Sequence, residues 1–140
     1  MAPVTAPWLK PFRRPRLWLG VWLAAVLAVV ALSLMPPAPL PELPSGGDKV
    51  EHFLAYCLLA MGAVQLFATR ACWLLAGAGL IAMGVGLEYA QGAYTATRMQ
   101  DPFDALANTL GAIAGLATAL TPLRDTWLRV ERRLPRSAQP

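Results

Sequence analysis

Residues 17–35 read LWLGVWLAAVLAVVALSLM, nineteen positions without a charge. As a helix rising about 1.5 Å per residue this run reaches roughly 28 Å, close to the hydrocarbon thickness of about 30 Å. Lys10, Arg13, Arg14 and Arg16 precede it, as in a signal peptide. The apolar run exceeds a signal peptide's core, however, so an uncleaved membrane helix is expected.

Working outward, Pro36, Pro37, Pro39, Pro41 and Pro44 make an extended connector that cannot be helical. Ser45-Gly-Gly-Asp48 closes it, and a second span is expected over 49–68. Arg70 marks a very short turn, and a third span, rich in glycine and alanine, covers 71–94. A polar loop over 95–101 leads to a fourth span at 102–120. The expectation is an all-α membrane protein of four transmembrane helices over 17–120. A basic segment (1–16) precedes them, and a short basic C-terminal tail (121–140) follows, forming a short interfacial helix and a disordered tip. No internal repeat or Walker-type loop is visible.

Composition agrees. The chain is 56% hydrophobic and 14% charged, where soluble domains carry about a quarter charged residues, so lipid is the expected solvent. The net charge of +4 does not signal nucleic acid. All basic residues except Lys49, Arg70 and Arg98 lie in the first 16 or last 17 positions, with no interleaved aromatic and basic surface. They read as topology signals and contacts for anionic headgroups. Trp8, Trp18, Trp22, Trp73 and Trp127 read mostly as interfacial anchors. Cys57 and Cys72 lie in apolar segments without ligand spacing and read as small buried hydrophobes.

Loop charges set the orientation. The N-terminal segment is purely basic, and the connector carries Glu42, Asp48 and Glu51 against Lys49. The turn at Arg70 is basic, and the next loop has Asp101 and Asp104 against Arg98. The tail carries Arg124, Arg129, Arg132, Arg133 and Arg136 against Asp125 and Glu131. This alternation places both termini in the cytoplasm of a multi-pass inner-membrane protein.

The polar residues at the span ends are the informative part. Asp48, His52 and Tyr56 fall on one helical face, with Lys49 one step round. Glu88 stands 17 residues beyond Ala71, about 25 Å along the third span, followed by Gln91. Asp104, Asn108, Gly111 and Gly115 recur at four, three and four, a single stripe. Three helices therefore deliver these groups to one depth on the non-cytoplasmic side, where ionisable residues signal a functional site by default. Structural roles compete. Asp48 with Glu51, and Asp101 with Pro102 and Asp104, look like N-terminal caps. Lys49 can snorkel, Gln91 and Asn108 can serve as interhelical glue, and Gly111 and Gly115 as close-packing residues. Glu88 must pair with Lys49, His52 or Arg98, or stay protonated.

At these residues the chain resembles the VanZ-like family of small membrane proteins. The matching pattern is Asp48-Lys49-x-x-His52-x-x-x-Tyr56, then Glu88-x-x-Gln91, then Arg98 with Asp104-x-x-x-Asn108-x-x-Gly111. It covers about 45–115. The resemblance implies a four-helix integral membrane protein, in a family associated with cell-envelope settings and with resistance to teicoplanin-type glycopeptides. It also implies a polar site at Lys49, His52, Glu88, Gln91, Arg98, Asp104 and Asn108, and it supplies no settled reaction.

Several functions follow as alternatives. The first is binding or remodelling of an amphiphilic envelope lipid or lipid-linked molecule, with Arg98 and Lys49 holding phosphate or carboxylate. The second is an intramembrane enzyme on the same substrate class, with His52, Glu88 or Asp104 as candidate catalytic groups and Arg98 as an anion clamp. The third is a structural subunit of an envelope complex. A proton-coupled carrier would require dimerisation. One histidine with scattered carboxylates is a poor metal signature, so no metal and no cofactor is expected. The expected partners are membrane lipids, with a homo-oligomer or an envelope-complex partner as further options.

Overall fold

Pro15 sets the start of the first helix. It stands at the first helical position, where its missing N–H is not needed, and α1 runs Pro15–Leu34. Pro36 ends it by forcing its predecessor out of the helical region: Met35 is extended, with φ −78° and ψ 151°. The structure, a computed structural model, describes residues 8–36, 46–94 and 101–135. The proline connector beyond Pro36, the loop containing Arg98 and the C-terminal tip lie outside the described residues.

The second helix, α2, spans Gly47–Leu66, two residues earlier than expected at each end. Gly46 precedes it in the left-handed region at φ 87°, a conformation that favours glycine. The helix stops before 67–68 because the N-terminal segment competes for its last backbone groups. Lys10 N donates to Leu66 O at 3.0 Å and Ala68 N donates to Trp8 O at 2.9 Å. The third helix, α3, covers Arg70–Tyr94, so Arg70 opens the helix rather than sitting in the turn. Thr69 supports this start, its hydroxyl accepting from Cys72 N at 3.2 Å. The fourth, α4, runs Pro102–Ala117 and continues through 3-10 turns at Thr118–Leu120 and Pro122–Asp125 into α5, Thr126–Arg133.

α2 is the central helix, and its most extensive partner is α4. Two glycines on the Asp104 stripe make this possible. A methyl group on Gly111 would lie 2.2 Å from Phe53 O, and one on Gly115 would lie 2.3 Å from Cys57 O. The helices therefore touch backbone to backbone. Tyr56, Leu59, Ala60, Leu80 and Ala112 form the core between α2, α3 and α4. A second core of Leu9, Phe12, Leu66 and Leu128 joins the terminal segments to the far end of α2. Trp18 and Trp127 stack across it at 5.2 Å, and Trp22 Nε1 donates to Leu59 O at 2.9 Å. These tryptophans pack within the protein, beyond the anchoring expected of them.

Large apolar side chains face outward while several polar groups are buried. Glu88, Gln91, Asn108 and Gln65 are buried, while Leu27, Leu32, Leu58, Leu75 and Ile113 are exposed. No residue of α1 is buried. An exposed apolar sheath, with these polar groups buried inside it, suits lipid as solvent. Three helices are long and apolar enough to cross a membrane: α1, α3, and α4 with its 3-10 extension to Leu120. α2 has comparable length, but Asp48, Lys49, Glu51 and His52 make its first turns polar.

Candidate functional site

The beginnings of α2 and α4 and the last turns of α3 meet at one end of the bundle. α2 brings Asp48, Lys49, His52 and Tyr56, α3 brings Glu88, and α4 brings Asp104 and Asn108 behind its cap Asp101. The glycine contact between α2 and α4 places the two N-terminal turns side by side.

Lys49 is the hub of the outer part. Its ammonium lies 2.8 Å from Asp101 Oδ2, 3.0 Å from Asp104 Oδ1 and 3.0 Å from Asp48 Oδ2. It does not snorkel away from these carboxylates. The hydrogen bond from Lys49 holds the Asp101 carboxyl below its usual range, and the Phe103 amide adds to this by donating to Asp101 Oδ1 at 2.8 Å. Asp101 is thus both the N-cap of α4 and an ion-pair partner. Asp48 is not the N-cap of α2: Gly46 holds that position, and Asp48 stands in the first turn. Glu51 stands exposed just beyond the first turn.

The inner part is built on His52, Glu88 and Asp104. His52 Nδ1 lies 3.0 Å from Asn108 Oδ1, and its Nε2 lies 3.6 Å from Asp104 Oδ2. A carboxylate oxygen of Glu88 completes a group in which one atom from each of the three residues lies within 4.8 Å of the others. Glu88 is 3% exposed, and its Oε2 accepts from Asp101 N at 3.3 Å. Tyr56, one turn beyond His52, is 2% exposed, and its hydroxyl has no hydrogen-bond partner among the described residues. Gln91 is buried one turn beyond Glu88. It ties α3 to α1 by donating to Ser33 O at 2.8 Å. Gly111 and Gly115 shape the helix contact below the cluster, and Arg98 lies outside the described residues.

A cleft of about 170 Å³ between α1 and α2 is lined by Val29, Leu32 and Ser33 on one side and by Glu51, His52, Ala55 and Tyr56 on the other. It gives the imidazole an apolar approach from the side of the bundle.

Sequence reasoning overlooked the opposite end. There Gln65 is buried, donating to Leu123 O at 2.7 Å and accepting from Trp127 N at 3.1 Å. Glu131 is 4% exposed and accepts from Arg13 N, Arg14 N and Trp18 Nε1 at 2.6, 3.1 and 2.8 Å. Lys10 bonds Asp125 at 2.8 Å and also the carbonyl of Arg124. A larger cleft of about 880 Å³ opens here, lined among others by Arg70, Trp73, Leu116 and Arg124. An amide alone in an apolar run, as Gln65 is, was the available signal. Glu131 carried none, because a glutamate among arginines in a tail reads as solvated.

No family model, curated protein or solved structure matches this chain.

Proposed function

We propose that the chain is a VanZ-like integral membrane protein of the cell envelope, with α2 as a fourth span and both termini in the cytoplasm. Its polar cluster, at the outer interface, binds or remodels an amphiphilic envelope lipid or lipid-linked molecule. The observation that carries this reading is the convergence of His52, Glu88 and Asp104 from three helices, beside an apolar cleft between α1 and α2. Lys49 already has three carboxylates around it, which leaves Glu88, Asp104 and Asn108 to receive hydroxyl or ammonium groups of a headgroup. The four-span topology draws support from the positive-inside pattern and from the packing of residues 8–16 against 121–134 at one end of the bundle.

The test compares His52→Ala, Glu88→Ala and Asp104→Ala for folded protein in the membrane and for retention of labelled envelope lipids by the purified protein. Folded variants that no longer retain lipid support the site. Uniform loss of folded protein would sink it in favour of structural glue within an envelope complex. Teicoplanin susceptibility of a strain lacking the protein tests the resistance link that the family resemblance implies. Topology has its own test: cysteines placed at Ser45 and Ser137, with Cys57 and Cys72 replaced, should label from opposite faces of the membrane. Labelling from the same face would overturn the orientation.

A second reading, an intramembrane enzyme on the same substrates, is favoured by one feature. Asn108 orients the imidazole of His52 toward Asp104, the arrangement of a general acid–base pair. Product analysis of the same lipid incubations separates binding from turnover.

A further inference from the structure

His52 is gripped at one nitrogen. Asn108 presents an amide oxygen to Nδ1 at 3.0 Å, and an amide oxygen only accepts, so Nδ1 carries the hydrogen. Nε2 then faces Asp104 Oδ2 at 3.6 Å, longer than a hydrogen bond. A carboxylate oxygen of Glu88 lies within 4.8 Å of a ring nitrogen of His52 and of a carboxylate oxygen of Asp104. Three electron-pair donors from three helices thus converge, and one of them belongs to a carboxylate that is 3% exposed. Such a group is costly unless positive charge stands among its members. A proton on Nε2 relieves one contact, whereas a divalent cation relieves all three.

Tyr56 supplies an independent observation. Its hydroxyl is buried without a partner among the described residues, a state that few native polar groups keep. The ring starts one turn beyond His52. Its far edge lies against Gly84, one turn before Glu88, with a methyl at Gly84 falling 3.1 Å from both Cε1 and Cζ. The same methyl would fall 3.1 Å from Asn108 Cβ, so the far edge of the ring lies between Asn108 and the turn of α3 that leads to Glu88. An orphaned donor and acceptor therefore stands at the inner edge of the cluster, where a metal-bound water would satisfy it.

A second acidic group, Asp48 with Asp101 and Asp104, has the same compactness, but Lys49 already supplies its cation. Lys49 reaches the inner group only at Asp104 Oδ1, and among the described residues no Lys or Arg pairs with Glu88 or with the Oδ2 side of Asp104 that faces His52.

We propose that His52, Glu88 and Asp104 bind one divalent metal ion of the zinc type, with Asn108 fixing the imidazole behind it and Tyr56 beside it. One imidazole and two carboxylates suit Zn²⁺, whose tetrahedral ligands at about 2.1 Å stand roughly 3.4 Å apart. The His52–Asp104 pair, at 3.6 Å, already has that spacing. Three protein ligands leave one position for water. Donation of Nδ1–H to a side-chain oxygen is the usual support of a metal-binding histidine. The inference goes beyond the lipid reading and does not rest on it, because the metal is measured with no lipid ligand present.

Full-length protein in detergent, stripped with chelator, is titrated with ZnCl₂ by calorimetry and its metal counted by mass spectrometry. One Zn²⁺ per chain is expected. His52→Ala, Glu88→Gln and Asp104→Asn should weaken it by more than about a hundredfold, and Asn108→Ala by about 10- to 100-fold. Asp125→Asn, at the opposite end of the bundle, should bind as the parent does. Elution volume and helical circular dichroism verify that each variant is folded. Where a ligand variant does not fold, the visible spectrum of Co²⁺ added to the parent protein decides, with intense four- or five-coordinate bands expected. Absence of stoichiometric Zn²⁺ binding by the parent overturns the proposal. So does binding indifferent to the three ligand substitutions, or a Co²⁺ spectrum matching the hexa-aquo ion.

Discussion

Lys49 holds together carboxylates that would otherwise repel one another. Asp48, Asp101 and Asp104 approach within 3.0 Å of its ammonium, from two helices and the cap that begins the second. Replacing it by methionine leaves three negative groups facing each other without a counter-charge. Lys49→Met is therefore expected to unfold at lower temperature in detergent than the parent, and Lys49→Met with Asp101→Asn should recover part of the loss. A double variant no more stable than the single one would show that Lys49 acts through something other than charge. The motif residues were legible in the sequence because helical spacing puts 48, 52 and 56 on one face. Their distances were not legible, since Glu88 reaches His52 only through the packing of α3 on α2 and α4. The cap at Asp101 was readable from its neighbour Pro102, whereas the one expected at Asp48 was not made, because Gly46 starts α2 with no capping side chain.

Between elements, the contact of α2 with α4 rests on Gly111 and Gly115. A methyl on either meets backbone of α2, at Phe53 O and Cys57 O, which cannot turn aside as a side chain would. Gly111→Ala and Gly115→Ala should each cost about 1–3 kcal/mol in unfolding experiments, as overpacking does. Both should also separate the N-terminal turns that carry Lys49 and Asp104. Gly79 and Gly86, with nothing within 4 Å of an added methyl, are the controls. Alanine there should leave stability unchanged or slightly higher, following its better helix propensity. The stripe of 104, 108, 111 and 115 was visible as a period. That two of its members touch backbone follows from the partner helix, which the spacing does not name.

For the molecule as a whole, the terminal segments close one end of the bundle. Glu131 accepts three hydrogen bonds from Arg13, Arg14 and Trp18. Glu131→Ala would strand those donors, at a cost on the order of 2–3 kcal/mol. Proteolysis should then cut the tail of the variant ahead of the helices, and equal resistance to that of the parent would remove the anchoring role. Asp125, held below the usual carboxylate range chiefly by Lys10 and further by Arg124, gives this end a pH dependence. Because its folded value is depressed, the stabilisation is complete above the unfolded value of about 3.9 and is lost as pH falls through the folded one. The melting advantage of the parent over Asp125→Asn should be full well above about pH 3.9 and shrink progressively as the pH falls below it. An advantage independent of pH would exclude the ion pair as its source.

The sequence alone determined the helical class, the apolar stretches and the polar residues at their ends. Hydrophobic run length, proline placement and helical period act locally and are written in neighbouring positions. The tertiary structure decided where α2 stops, because a backbone pairing with Trp8 and Lys10 competes for its last turn. It also decided that Lys49 is enclosed by carboxylates and that Gln65 and Glu131 are buried. It decided as well that His52, Glu88 and Asp104 converge while Gln91 turns to α1. Each of these depends on pairs of residues far apart in the chain, and their proximity is set by how the helices pack.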